Sequence, residues 1–233
     1  MGAKRLGRRV WAIGSGLPFP INVFLVELGG GLTLVDAGIR PMAGAILRAI
    51  GRLGLPLQRV VLTHGHFDHI GGLPAVLRRW PVPVLAHPEE VPFLLGERRY
   101  PAMLRWPTKR PSTLRRPAMP AKPLVDPRWL RALDPAEEPA GLQPRHCPGH
   151  TPGHTAYWAP DEGLLLAGDL FSAYLPGRLG RPTPSLTTDM AQAVRSGALV
   201  TELRPERMAL CHGGVVHRPH DLYPAYRRRH LRE

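Results

Sequence analysis

The stretch that most constrains this chain is Thr-His-Gly-His-Phe-Asp-His, residues 63–69, which follows directly on the apolar run Val60-Val61-Leu62. The apolar run reads as a short buried strand. In extended backbone, residues two apart point the same way, so His64 and His66 can grip one ion from the strand end. Gly65 lets the chain bend between them. Asp68 and His69 lie on the turn beyond, offset toward a second position. Imidazole and carboxylate donors of this kind suit zinc, iron or manganese. One such histidine alone would read as an ordinary surface or hydrogen-bonded core residue; with Asp68 and His69 beside His64 and His66, the stretch reads as a ligand set.

The flanking pattern is that of an α/β layered domain. Residues 21–28 and 32–38 are apolar runs on either side of three glycines, Gly29 to Gly31, a hairpin signal. Apolar positions at Ala45, Ile46, Leu47 and Ile50 predict a helix ending near Gly51 or Gly54. The spacing then predicts a strand before His64, a helix over 73–80 and a strand over 82–87. Strand-like texture returns at 154–160 and 163–170, followed by a helical pattern over 189–203 and a strand-like run from Arg207.

Between these halves, over about 97–142, no period of 3.6 or 2 persists. Residues 98–131 hold ten Arg or Lys against one acid, Asp126, so this stretch supplies +9 of the net charge of +13. Seven prolines and Trp106, Trp129, Leu104 and Met119 are interleaved with the charges. The segment reads as a basic lid inserted into a single domain spanning 1–233. Net charge of this sign speaks to anionic partners rather than to the fold. Two cysteines are no disulfide framework, and the basic N-terminus has no apolar stretch behind it; a reducing cytoplasm is expected, with no signal peptide and no membrane span. Few amides (one asparagine, Asn22) and 28 prolines fit either a heat-adapted source or a GC-rich genome.

The sequence resembles the metallo-β-lactamase superfamily. Residues 63–72 match its H-x-H-x-D-H signature, and four further motifs follow the family's order: Val-Asp-Ala-Gly at 35–38, Cys-Pro-Gly-His-Thr-Pro-Gly-His at 147–154, Leu-Ala-Gly-Asp-Leu at 166–170 and Cys-His-Gly-Gly at 211–214. The resemblance spans roughly 20–215 and leaves the basic lid uncovered. It implies a four-layer αββα sandwich and two divalent metal ions, zinc in the first instance, with iron or manganese as alternatives. His64, His66 and His150 would hold one ion. Asp68, His69 and His212 would hold the other, with Asp169 bridging both. Asp36 would orient a ligand histidine from behind, and Asp68 would accept and return the catalytic proton.

The reaction expected is hydrolysis of a small ester, thioester or lactone, and the outline is similar to the short glyoxalase II-like hydrolases. A nuclease or phosphodiesterase using the basic lid, and an iron-dependent sulfur dioxygenase on the same ligands, are the alternatives. A small anionic substrate is the expected partner, rather than nucleic acid or a membrane surface; a dimer of the chain is compatible with this. Tyr174, Arg115, Arg116 and His217 are the substrate-contact candidates. His154, His87 and His220 read as hydrogen-bonding or surface residues. Cys147 and Cys211 read as strand-end packing and are assigned to neither ion.

Overall fold

The computed structural model describes residues 2–16, 20–100, 123–134, 136–175 and 177–231. Two mixed β-sheets lie face to face. The first runs in sequence order: β1 (Ala3–Arg5), β2 (Val10–Gly14), β3 (Asn22–Leu28), β4 (Gly31–Val35), β5 (Leu57–Val61), β6 (Val84–Ala86) and β7 (Leu130–Ala132). β1 to β4 pair antiparallel and β4 to β7 parallel. The second holds β8 (Gln143–His146), β9 (Thr155–Ala159), β10 (Leu164–Leu166), β11 (Arg207–Ala209) and β12 (Val215–His217), in the order β12-β11-β10-β9-β8. Only its β10–β11 pair is parallel.

Parallel neighbours need a crossover, and the helices supply it. α1 (Ala43–Leu53) joins β4 to β5; α2 (Phe67–Ile70) and α3 (Leu73–Arg79) join β5 to β6; α4 (Val91–Leu94) follows β6. α5 (Met190–Ser196) and α6 (Leu199–Leu203) join β10 to β11, and α7 (Pro219–His230) closes the described chain. α1 stops where Gly54 takes a left-handed φ of 68° and returns its N–H to Ile50 O, a conformation glycine adopts without steric cost.

Period-two alternation sorts the side chains into three cores. On β3, Phe24 and Val26 face the second sheet, whereas Val23 and Leu25 pack under Ile46 and Ile50 of α1. On β10, Leu164 and Leu166 fill the space between the sheets and Leu165 turns outward to Val194, Val200, Tyr223 and Tyr226. The order is therefore helix, sheet, sheet, helix, the four-layer αββα sandwich.

Two features were not visible in the sequence pattern. β7, within the stretch read as lid, is an edge strand of the first sheet, and Leu130 is buried against β6. The helical pattern over 189–203 is two helices, broken at Gly197, where Phe171 and Tyr223 leave no room for a Cβ.

Candidate metal centre

Parallel pairing brings the C-terminal ends of β4 and β5 to one edge, and those of β10 and β11 to the facing edge of the other sheet. Beyond Val35, Asp36 adopts φ 59°, a left-handed conformation that Asp tolerates better than most residues. Its carboxylate accepts the backbone N–H of Thr63 (2.8 Å), the Thr63 hydroxyl (2.7 Å) and Nδ1 of His69 (2.8 Å). A Cβ on Gly65 would collide with the Tyr100 hydroxyl and stand 2.7 Å from Leu94 Cδ2, so a side chain here would displace one of them. His66 sits at the N-terminus of α2, whose single turn presents Asp68 and His69.

Three imidazoles converge. His64 Nε2 lies 3.0 Å from His66 Nδ1, which lies 3.1 Å from His150 Nε2; all three rings are buried. The outer hydrogen bonds fix two of the tautomers. The one hydroxyl hydrogen of Thr63 goes to Asp36, so Thr63 Oγ1 accepts from His64 Nδ1 at 3.1 Å. Likewise Thr187 Oγ1 donates to Thr183 O and accepts from His150 Nδ1 at 3.0 Å. Both Nε2 atoms therefore turn bare lone pairs inward, against His66. Burial lowers the pKa of all three, that of His66 to about 4, which leaves them neutral. Three neutral donors aimed at one point suit a cation.

A second cluster adjoins the first through Asp169. Asp169 Oδ2 is 3.4 Å from His150 Nε2 and 3.3 Å from His212 Nε2, while Asp169 Oδ1 faces His69 Nε2 at 3.4 Å. Asp68 Oδ2 approaches His212 Nε2 at 3.2 Å. Asp68 Oδ1, His69 Nε2 and Asp169 Oδ1 are buried and complete no hydrogen bond, an arrangement a native interior avoids unless something else occupies the gap. Here burial works against the charged imidazoles, but it is outweighed, at His69 by Cys211 and then Asp36 and Asp169, and at His212 by Asp169 with help from Asp68. His69 is held well above its ordinary range and His212 is pushed up to about 12. Burial likewise opposes the charge on Asp68 and Asp169, yet their histidine partners keep both carboxyls low. Two ionised carboxylates among buried imidazoles offer oxygen and nitrogen donors together, and a divalent cation there would take the place of the imidazole protons. The donor set fits divalent metal ions at both positions.

Several neighbours that sequence reasoning passed over hold this geometry. Glu90, fully buried, accepts the N–H groups of Gly65 (3.1 Å) and Gly153 (2.9 Å) and the Tyr100 hydroxyl. It thereby ties the loop of His64 and His66 to the loop of His150, and Tyr100 packs edge-on to His66. Asn22, the sole asparagine, donates from its amide to Leu210 O, Cys211 O and Gly213 O and anchors the segment of His212. A buried acid at a loop end and an amide on a strand carry no signature of their own; only the packed structure shows what they grip. His154 accepts the backbone N–H of Asp169 at 3.0 Å, a hydrogen-bonding role.

The substrate-contact candidates divide. Tyr174 stands half-exposed on the loop that pairs Ala173 with Gly213, next to His212. His217 is not brought to the cluster: it lies opposite Arg207, at the start of β11, whereas His212 leaves from the other end. The hairpin carries each residue after Gly213 away from the site edge. Arg115 and Arg116 lie outside the described residues. His87 stacks on His146 at 3.9 Å, and His220 approaches Asp221 at 3.6 Å.

Comparison with known proteins agrees with this architecture. The family model of the metallo-β-lactamase superfamily matches residues 16–212, and the chain belongs to that superfamily, whose members bind divalent metals at His/Asp sites. The probable metallo-hydrolase YybB of Bacillus subtilis (strain 168) is 30% identical over 210 residues, covering 90% of this chain and 88% of the relative. A shorter match, 39% identical over 61 residues, covers 26% of this chain and 23% of the hydroxyacylglutathione hydrolase of Legionella pneumophila (strain Paris). Among solved structures, TTHA1623 in a di-iron-bound form superposes with a TM-score of 0.65 at 29% identity, over 88% of this chain and 93% of that one. No helix among the described residues is long and apolar enough to cross a membrane.

Proposed function

We propose that this chain is a metal-dependent hydrolase, one domain carrying a basic insertion at about 97–142, that cleaves a small ester, thioester or lactone. The observation that carries the reading is the pair of adjoining buried donor clusters sharing Asp169. His64, His66 and His150 would hold one divalent ion and Asp68, His69 and His212 the other, with Asp169 available to both. When bound, such a pair supplies an acidified water and polarises a carbonyl at neutral pH. The chain's own residues do the rest. Asp36 fixes the His69 ring through Nδ1, leaving Nε2 to the site. Asp68, buried and kept ionised, has Oδ1 free of hydrogen bonds, so it takes a proton from water and returns it to the leaving group.

The short likeness to a hydroxyacylglutathione hydrolase supports a thioester among these substrates. Exposed Phe67, at the start of α2, and Tyr174 and Leu175, on the segment after Asp169, suit its apolar part. The +9 of residues 98–131, Arg115 and Arg116 among them, suits an anionic group on it. Zinc is the ion we assign to the site in the cell, although TTHA1623 holds iron. Both cysteines are free and buried, and we place the protein in the cytoplasm on that ground.

The test is elemental analysis of protein from metal-replete medium, followed by assay on thioesters, lactones, neutral esters and phosphodiesters. About two equivalents of metal and turnover of the carbonyl substrates are expected. Trace metal after reconstitution, or turnover of phosphodiesters alone, overturns the proposal.

A further inference from the structure

The sequence suggests nothing for Cys211 beyond packing beside His212. In the structure its sulfur lies within 4.8 Å of a ring nitrogen of His69, a ring nitrogen of His212 and a carboxylate oxygen of Asp169. Its backbone is pinned from both sides. The N–H donates to Gly168 O at 3.1 Å, beside Asp169, and the carbonyl accepts the Asn22 N–H at 3.0 Å and the Asn22 amide at 3.3 Å. The residue is buried, so the thiol faces the cluster from the core side rather than from solvent. His69 Nε2 and Asp169 Oδ1, both buried, point into the same gap without hydrogen-bond partners. Cys147 provides the contrast: it is equally buried, but its thiol donates to Arg145 O at 3.1 Å and joins no such cluster.

We propose that the Cys211 sulfur is an additional donor to the second metal position, alongside Asp68, His69, His212 and Asp169. This rests on the binuclear reading above and deepens it. On binding, the thiol releases its proton to solvent as the sulfur–metal bond forms. Thiolate is the softest donor in the set and biases that position toward zinc and away from manganese, which prefers oxygen ligands. The position thus differs from the first in kind, being carboxylate, imidazole and sulfur where the first is mainly imidazole.

Cobalt(II) loading of the metal-stripped protein tests this, because sulfur bound to cobalt adds a charge-transfer absorption in the near ultraviolet that imidazole and carboxylate do not. The wild type and Cys147→Ala are expected to show that band, and Cys211→Ala and Cys211→Ser to lose it. Cobalt uptake by the wild type without the band, or a band that survives Cys211→Ala, overturns the proposal and leaves the binuclear reading standing. Failure of the wild type to take up cobalt at all overturns both. Should the Cys211 variants not fold, X-ray absorption on the zinc-loaded wild type decides: a sulfur scatterer at about 2.3 Å supports the assignment, and its absence removes it.

Discussion

Asp68 shows how one residue's chemistry follows from its neighbours. The carboxylate is buried, and left alone it would be driven toward neutrality; His212 at 3.2 Å keeps it ionised. Asp68→Asn preserves shape, removes the proton acceptor and weakens a ligand, so kcat is expected to fall by ~10²–10⁴, far more than stability does. Near wild-type turnover in a variant that retains its metal would refute the proton-transfer role. At this scale the sequence was highly informative about donors and poor about their supports. His64, His66, Asp68 and His69 are legible as candidate donors because a metal site demands particular residue types at particular spacings. Thr63, Thr187 and Glu90 are not, because any residue with a suitably placed acceptor could do their work, and three-dimensional proximity alone reveals them. Cys211 belongs with them: nothing in a Cys-His pair says which way the thiol turns.

Among the elements, the strands are short and the loops between them carry the site, so the ties holding those loops matter as much as the ladders. Glu90 accepts from two backbone N–H groups on different loops. Glu90→Ala leaves both donors buried and unpaired, and a loss on the order of 3 kcal/mol is expected in urea unfolding of the metal-free protein. A loss below about 1 kcal/mol would mean that water replaces the carboxylate without penalty. The central strands were legible as apolar runs; which face each residue takes, Phe24 and Val26 against Val23 and Leu25, only the packed structure shows. The edges were not legible. β7 is three residues long in a stretch dominated by charge and proline, and its strand character comes from pairing with β6 rather than from its own composition. α7 carries Pro224 inside and four basic residues in its last turn, a pattern that reads as loop until Tyr223 and Tyr226 are seen packing on the second sheet.

For the whole molecule, two bulk properties follow from charge. His66 and His154 are buried neutral with pKa values lowered to about 4 from 6.5. The unfolded chain therefore binds more protons than the folded one between those values, and stability of the metal-free protein drops as pH falls through that window. His212 acts in the opposite sense: its contribution is complete below 6.5 and is lost as pH climbs toward about 12. Thermal melts of stripped protein should show a lower Tm at about pH 5 than at about pH 7; an equal or higher Tm at the acid value would contradict the buried neutral imidazoles. The second property is the basic segment. If Arg115 and Arg116 meet the substrate, replacing both by Ala raises KM for anionic esters severalfold and leaves neutral esters unchanged; equal responses would assign that charge to solubility. A wider consequence lies in where the ligands originate. Residues 64–69 hang from the first sheet, while His150, Asp169 and His212 hang from the second, so either of the two proposed ions would draw on both halves of the sandwich. A bound metal is then a rivet through the molecule, and its binding energy is shared with folding. A copy whose halves have not closed on each other has nowhere to keep an ion. On the proposed ligand set, metal content would double as an inspection mark, borne only by chains that have assembled correctly.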